Sequence, residues 1–211
     1  MKVIDLTMRI KPSMRVFPGS PKPSFISWSR FDIHGYNSEL MFMSTHTGTH
    51  VDAPSHFASN MPSIDKIQAY RFVSNAVLVK MPKKANQLIE QEDITKRVEL
   101  NRGDTIVFMT GWETHVRSNS YMSDNPGLSA GAAKYLVSKN VNAVAIDGPS
   151  IDAGFDSKFA AHNILLPAGV LAIENLCNVG QISKDRFTLV TSPLKLAGAT
   201  GSPARVLALI S

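Results

Sequence analysis

The sequence predicts a single α/β domain built on a mixed β-sheet, and we expect this domain to span residues 1–211. Two observations predict that fold class. Apolar residues make up 44% of the chain, which is enough to form one buried core at this length. Short β-branched runs also follow one another along the chain with a helical segment between them, which is typical of α/β proteins.

The N-terminal part of the chain predicts two strands and a long loop. Residues 2–7 alternate loosely between apolar and polar side chains, which indicates a first strand. Residues 11–23 hold four prolines and a glycine, so this segment is predicted to be a loop. The run Leu-Met-Phe-Met at residues 40–43 predicts a strand that leads into a histidine-rich segment.

The remainder of the chain predicts further strands and one helix. Ser129 is a suitable N-cap for a helix over residues 129–139, in which Ala132, Ala133, Leu136 and Val137 share one face. The apolar runs that predict strands lie at residues 76–79, 105–109, 141–146, 170–173 and 205–210. Asp147 and Glu174 follow two of these runs directly. Ligands of open α/β sheets tend to bind at such strand ends.

Composition and charge exclude several classes of protein. No apolar run approaches the ~18 residues of a membrane span, so we expect no membrane partner. The net charge is +5, but only residues 80–84 are densely basic and no aromatic residue interleaves them, so we expect no nucleic-acid partner. Cys177 is the only cysteine and Asp5 interrupts any apolar leader, so we expect a cytoplasmic protein without disulfides or a signal peptide.

The strongest functional signal is the run from residue 46 to residue 56, which reads His-Thr-Gly-Thr-His-Val-Asp-Ala-Pro-Ser-His. Its threonines, glycine and valine are poor helix formers, and Pro54 is incompatible with a helix interior. A regular strand would put the Cα atoms of His46 and His50 ~13 Å apart. Two imidazoles that bind one zinc ion each place a nitrogen ~2 Å from it. The chain must therefore fold back between these two histidines.

Gly48 permits the backbone conformation that such a reversal needs. Thr47 and Thr49 can hydrogen-bond the turn or orient the histidine rings. Three histidines and Asp52 around a glycine hinge, with a proline at the exit, favour a rigid metal-binding loop over a polar loop with incidental histidines.

The same run matches every fixed position of the motif H-x-G-T-H-x-D-x-P-x-H. By this motif the chain resembles the cyclase superfamily of metal-dependent hydrolases and, within it, the kynurenine formamidases. The residues that carry the resemblance elsewhere lie at 5–7, 17–19, 110–112, 147–152, 162–166, 174–176 and 201–205. Ala145 departs from the pattern, because the family usually has glycine there.

The resemblance implies a swivelling β/β/α fold, a homo-oligomer (dimer or tetramer) and a site with one or two metal ions. Transferred by position, His46, His50 and Asp52 would hold a first ion. Asp52, His162 and Glu174 would hold a second, with Asp52 bridging the two, and His56 would be the general acid/base. Zinc accepts such nitrogen and oxygen ligands, and manganese is the alternative.

The implied activity is hydrolysis of an amide C–N bond in a small molecule, with N-formylkynurenine of tryptophan catabolism as the model substrate. Phe17 stands where the kynurenine formamidases usually carry a tryptophan that contacts the substrate, and Ser20 replaces their usual aspartate. We assign Phe17 to substrate binding. The alternatives are a relative that opens a cyclic amide such as isatin or acts on a polyketide-like substrate, and a metal-binding protein without turnover. His56 argues against the last, because a metal scaffold needs no further, non-ligating histidine.

Overall fold

The computed structural model describes all 211 residues, which form twelve β-strands and four α-helices. The strands are β1 (Lys2–Asp5), β2 (Ser24–Ser29), β3 (Ser38–Phe42), β4 (His50–Asp52), β5 (Val73–Lys80), β6 (Leu88–Ile89), β7 (Thr105–Met109), β8 (Gly127–Leu128), β9 (Ala143–Ile146), β10 (Leu171–Glu174), β11 (Arg186–Pro193) and β12 (Gly201–Ile210). The helices are α1 (Phe31–His34), α2 (Gln91–Thr95), α3 (Ala130–Ser138) and α4 (Ala160–Leu165). None of them is long and apolar enough to cross a lipid bilayer.

Seven of the strands close into a barrel. Around the barrel the order is β4, β12, β11, β5, β7, β9, β10 and back to β4, and β1 pairs with β12 outside this ring. The strands β5, β7, β9 and β10 run parallel to one another, whereas the other strand pairs of the barrel are antiparallel. The predicted α/β domain with a mixed sheet is therefore confirmed.

The core has two layers because successive side chains of a strand point to opposite faces. Ala76 and Leu78 of β5 belong to the buried cluster to which all seven barrel strands contribute, and this cluster fills the barrel. Val77 and Val79 belong to a second cluster, which packs the outer face of the barrel against α2, α3 and α4. Both faces of the parallel strands are thus buried, which explains their uninterrupted apolar sequences.

Helix α3 forms where the sequence predicts it. The hydroxyl of Ser129 accepts a hydrogen bond from the backbone N–H of Ala132 at 3.1 Å, so it caps the helix. Ala132, Ala133 and Leu136 are buried. Val137 stays partly exposed and packs at the edge of the outer cluster.

The strand predicted before the histidine-rich run is confirmed as β3, which pairs only with β2 in a separate hairpin whose apolar side chains are exposed. One local prediction is wrong. The run 46–56 is not a loop throughout. Its first residues turn, with Gly48 at φ +62°, but His50–Asp52 form barrel strand β4 and Pro54–His56 form a 3₁₀ turn. β4 is only three residues long, but it is stabilised by pairing with β10 on one side and with β12 on the other.

Candidate metal centre

Three acidic or imidazole side chains meet on the outer face of two neighbouring barrel strands, opposite to Val51 and Ile173, which belong to the cluster inside the barrel. His50 and Asp52 are two residues apart on β4, so they point to the same face. In the antiparallel pairing of β4 with β10, His50 lies directly opposite Glu174, and opposed residues of such a pair are in side-chain contact. The strand register therefore brings Glu174 to the two ligands predicted in the histidine-rich run.

His162 of α4 completes a group of four buried donor residues. Nε2 of His50 lies 3.3 Å from Oδ1 of Asp52 and 3.5 Å from Oε2 of Glu174. Nε2 of His162 lies 3.3 Å from Oδ2 of Asp52 and 3.3 Å from Oε1 of Glu174. Ligand atoms arranged tetrahedrally at ~2.1 Å from one zinc ion are about 3.4 Å from each other. The spacing of these donor atoms therefore fits a bound metal ion.

Hydrogen bonds orient both imidazoles with Nε2 toward the carboxylates. Nδ1 of His50 donates to the carbonyl oxygen of Gly48 at 2.8 Å. Nδ1 of His162 donates to the carboxylate of Asp152, which also accepts from the backbone N–H of Ala161 at 2.6 Å. Since Nδ1 carries the proton in each ring, the lone pair of Nε2 is free to bind a metal.

His46 and His56 lie beside these four residues. Nδ1 of His46 is 2.6 Å from Oδ1 of Asp52, and its Nε2 is 2.9 Å from the hydroxyl of Thr200. The rings of His46 and His56 stack with centroids 4.0 Å apart. Donor atoms of His46, Asp52 and His56 fall within 4.8 Å of one another, as do those of His50, Asp52 and Glu174. The structure thus brings all six predicted residues together, but it groups His50 with Glu174 and His46 with His56.

The charges of the buried donor group favour the binding of a cation. Asp52 and Glu174 are buried, and their ion-pair partners are all histidines. Burial disfavours a charged His50, but the charge of Asp52 outweighs it and raises the pKa of His50 to about 9. Burial alone would raise the pKa of Asp52. The charge of His50 and hydrogen bonds from the surrounding histidines outweigh burial and hold this pKa well below its usual value. A divalent ion would neutralise these carboxylates without protonating the imidazoles.

His56 differs electrostatically from the other three histidines. It forms no ion pair with a carboxylate. The pKa of His56 is lowered to about 4, mainly by burial. The charge of Asp52 opposes this shift, whereas the charge of the nearby His46 lowers the pKa further.

These residues open into a cavity of about 320 Å³ with aromatic walls. Phe17, predicted to bind substrate, lies in the wall with its ring centroid 6.2 Å from that of Phe159. The ring of Phe57 stacks on His162 at 4.8 Å and lies 5.7 Å from Phe159. Phe57 and Phe159 were not predicted from the sequence. Their closeness to His56 and His162 in the chain is the only signal that pointed to them.

Asp147, a strand-end residue, does not join the centre. Its carboxylate accepts hydrogen bonds from the hydroxyl of Thr110 at 2.5 Å and from the backbone N–H of Gly111 at 2.7 Å. It fixes the turn after β7 and does not line the cavity.

The model of the Cyclase family matches residues 4–153, which include the histidine-rich run and four of the seven barrel strands. The chain therefore belongs to the Cyclase family. The match ends before His162 and Glu174. These two residues are therefore assigned to the site from their contacts in the structure and not from the family match.

The chain is similar along nearly its whole length to a kynurenine formamidase and to two solved structures of hydrolases. A kynurenine formamidase of Bacillus thuringiensis (strain Al Hakam) is 28% identical over 203 residues, which cover 96% of this chain and 94% of the relative. Isatin hydrolase A from Labrenzia aggregata superposes with a TM-score of 0.91 at 26% identity, covering 99% of this chain and 93% of that one. A protein from Bacillus stearothermophilus described as a predicted metal-dependent hydrolase superposes with a TM-score of 0.81 at 28% identity, covering 98% and 97%. These superpositions confirm the predicted cyclase-like fold.

Proposed function

We propose that the protein is a metal-dependent amidohydrolase that cleaves a non-peptide amide C–N bond, with N-formylkynurenine as its best-supported substrate. The observation that carries the proposal is the buried donor group of His50, Asp52, His162 and Glu174 at the base of an aromatic-walled cavity. The relatives named kynurenine formamidase and isatin hydrolase support amide hydrolysis as the reaction type.

We assign the metal to five residues, and its binding would need no rearrangement of the strands. His50, Asp52, His162 and Glu174 supply two nitrogens and two carboxylates at ligand spacing. His46 contacts the same carboxylate of Asp52, so it is placed to share a second ion with it. Nitrogen and oxygen donors of this kind suit Zn²⁺ as the first choice and Mn²⁺ as the second.

A divalent ion bound here would supply an activated water at neutral pH and polarise the amide carbonyl. We assign His56 as the general acid/base, because its imidazole lines the cavity and its nitrogens form no ion pair with a carboxylate. It takes a proton from the attacking water and passes it to the leaving aniline nitrogen, which is a poor leaving group until protonated. The rings of Phe17, Phe57 and Phe159 hold the aromatic part of the substrate and exclude water. The products are formate and kynurenine.

A second candidate reaction is the opening of a cyclic amide such as isatin. The superposition on isatin hydrolase A supports it. So does Phe17, which stands in the cavity wall where kynurenine formamidases usually have tryptophan.

We also propose that the protein is a cytoplasmic homo-oligomer without a nucleic-acid or membrane partner. The β2–β3 hairpin supports the oligomer. Nine large apolar side chains of residues 25–42 are exposed: Phe25, Ile26, Trp28, Phe31, Ile33, Tyr36, Leu40, Met41 and Phe42. So many exposed large apolar side chains on one hairpin are typical of a protein–protein contact, and we infer that a second copy of the chain covers them. Light scattering that finds a stable monomer would contradict this.

Hydrolysis assays test the proposed reaction. The purified protein is incubated with N-formylkynurenine or isatin after chelator treatment and again after Zn²⁺ or Mn²⁺ is restored. We expect metal-dependent release of kynurenine, faster than any opening of isatin. Faster opening of isatin would favour the second reaction. Full metal occupancy without turnover of any amide would favour a binding protein.

A further inference from the structure

A strongly basic cleft adjoins the metal-centre cavity. It has a volume of about 670 Å³ and is lined by thirteen residues. Five of these are basic, and none is acidic: Arg9, Lys11, Arg15, Lys22 and Arg117. Since the whole chain has 22 basic and 17 acidic residues, a cleft with five bases and no acid is an uneven distribution that creates a local positive potential.

The cleft and the metal-centre cavity share part of their walls. Arg15, Val16 and Met122 line both of them. Arg15 is also the only lysine or arginine among the residues that line the metal-centre cavity. Its guanidinium therefore stands at the junction between the proposed reaction site and the basic cleft.

The guanidinium of Arg15 is held in place by neutral groups alone. Its Nη2 donates to the carbonyl oxygen of Arg117 at 3.1 Å and to the side-chain oxygen of Asn119 at 2.6 Å. No carboxylate lies within 4 Å of it, whereas Arg30, Arg186 and Arg205 each form an ion pair. A guanidinium has five N–H donors, so Arg15 keeps donors free to bind a carboxylate in a two-pronged geometry.

The acidic residues that line the metal-centre cavity do not pair with Arg15. They are Asp52 and Glu174, and both pair with histidines of the donor group. The cavity thus has metal-binding side chains at its floor and aromatic side chains in its walls. At its junction with the basic cleft it has one positive charge, that of Arg15, without an acidic partner.

We propose that Arg15 is a specificity-determining residue: it binds an anionic group of the substrate and so selects aromatic amides with a carboxylate remote from the scissile bond over those that lack it. This deepens the proposed function and rests on it. The remaining bases of the cleft add positive potential that favours the same carboxylate at short range.

The kinetic test compares two arylformamides, one with and one without the amino-acid group that carries the carboxylate. N-formylkynurenine has the amino-acid side chain, and 2-formamidoacetophenone lacks it. For Arg15→Gln we expect kcat/KM for N-formylkynurenine to fall at least roughly tenfold, since hydrogen bonds to charged groups contribute about 1.5–3 kcal/mol. For the neutral substrate we expect less than a threefold change. Lys134→Gln is the matched control, because it removes the same charge from an exposed site on α3 that lines neither cavity.

A binding measurement keeps the proposal testable without turnover. Calorimetry measures kynurenine and 2-aminoacetophenone on the metal-loaded wild type and on Arg15→Gln. We expect the wild type to bind kynurenine more tightly, the variant to lose that preference, and added NaCl to weaken only the binding of kynurenine. If the wild type hydrolyses neither arylformamide, the proposed function is wrong and the calorimetry alone decides the role of Arg15. Equal losses for both substrates, or equal binding of both ligands by the wild type, would overturn the proposal.

Discussion

Asp152 accepts a hydrogen bond from Nδ1 of His162 and so determines which ring nitrogen faces the carboxylates of Asp52 and Glu174. The same carboxylate accepts from the backbone N–H of Ala161, at the start of α4. One side chain therefore fixes both the helix that carries His162 and the tautomer of its imidazole. Asp152 belongs to the positioning of the metal centre although its own oxygens do not join the donor group.

Replacing Asp152 by asparagine should weaken metal binding about 10- to 100-fold, the usual cost of losing such a supporting hydrogen bond. Competition with a chelating dye measures the affinity directly and needs no substrate. Asp156→Asn is the control, because Asp156 accepts hydrogen bonds from the backbone N–H groups of Lys158 and Ala160 near α4 but none from His162. An unchanged affinity in Asp152→Asn would show that His162 does not depend on Asp152.

Replacing His50 by alanine should abolish stoichiometric metal binding. Its Nε2 lies within 3.5 Å of both Asp52 and Glu174, so its loss leaves these two buried carboxylates with His162 as their one shared imidazole neighbour. Elemental analysis after dialysis measures the bound metal, and His34→Ala, at an exposed site on α1, is the control. A ligand that binds only the folded state stabilises it by about 4 kcal/mol at 1,000 times Kd. Chelation should therefore lower the Tm of the wild type but not that of His50→Ala. Full retention of metal by this variant would contradict our assignment.

The parallel strands could be predicted from the sequence because they are buried on both faces. Residues 76–79 and 105–109 are continuous apolar runs, and each lies within a strand of the structure. β11 was missed because its two faces differ: Phe187, Leu189 and Thr191 are buried, while the residues between them are partly or fully exposed. That two-residue alternation is a detectable signal. α4 was missed because it is six residues long and follows Phe159 in a left-handed conformation at φ 52°.

The candidate site was predictable where its residues are close in the chain. His46, His50, Asp52 and His56 lie within eleven residues, and the fold-back at Gly48 follows from bond geometry. The pairing of donors was not predictable, because it depends on the register that sets Glu174 opposite His50. The cavity wall was not predictable either, since Arg15, Phe57 and Phe159 come from three separate segments that meet only in the fold.

Replacing Phe17 by alanine should raise KM about three- to tenfold for an arylformamide and leave kcat within about twofold. Aromatic contacts contribute roughly 0.5–1.5 kcal/mol beyond buried area, and Phe17 lies in the cavity wall near Phe159, away from the donor group. Steady-state kinetics of Phe17→Ala and Phe17→Trp measure the effect, and the tryptophan should restore KM. Tyr70→Ala removes an exposed aromatic ring outside this cavity and should change nothing. A loss confined to kcat would remove Phe17 from substrate binding.

Replacing Asp93 by asparagine should destabilise the fold in a pH-dependent way. Its carboxylate accepts hydrogen bonds from Nζ of Lys83 at 2.6 Å and from the backbone N–H of Glu90 at 3.1 Å. The hydrogen bond from Lys83 is the main cause of the lowered pKa of Asp93. Because the folded pKa lies below the unfolded one, the stabilisation is present above about pH 4 and is lost as the pH falls through the folded pKa.

Urea unfolding of the wild type and Asp93→Asn at several pH values checks this. The free energies of unfolding should differ by up to about 1 kcal/mol between pH 5 and pH 8, as for a partly exposed ion pair. The difference should shrink below pH 4. A difference that stays constant down to pH 3 would assign the effect of the substitution to something other than this charge.

Replacing His56 by alanine should slow turnover by ~10²–10⁴-fold, the usual contribution of general acid–base catalysis, while metal content stays close to normal. His56 lies in the 3₁₀ turn after Pro54, stacks on His46 and forms no ion pair with a carboxylate, so its nitrogens are free to exchange a proton with substrate. Ser55→Ala is the control, because the Ser55 hydroxyl lies in the same turn, is buried and has no hydrogen-bond partner. Turnover and metal stoichiometry are measured on the same preparations. Loss of metal from His56→Ala would make His56 a ligand together with His46 and Asp52, whose donor atoms lie close enough to its own for that role. Unchanged turnover would remove His56 from the mechanism.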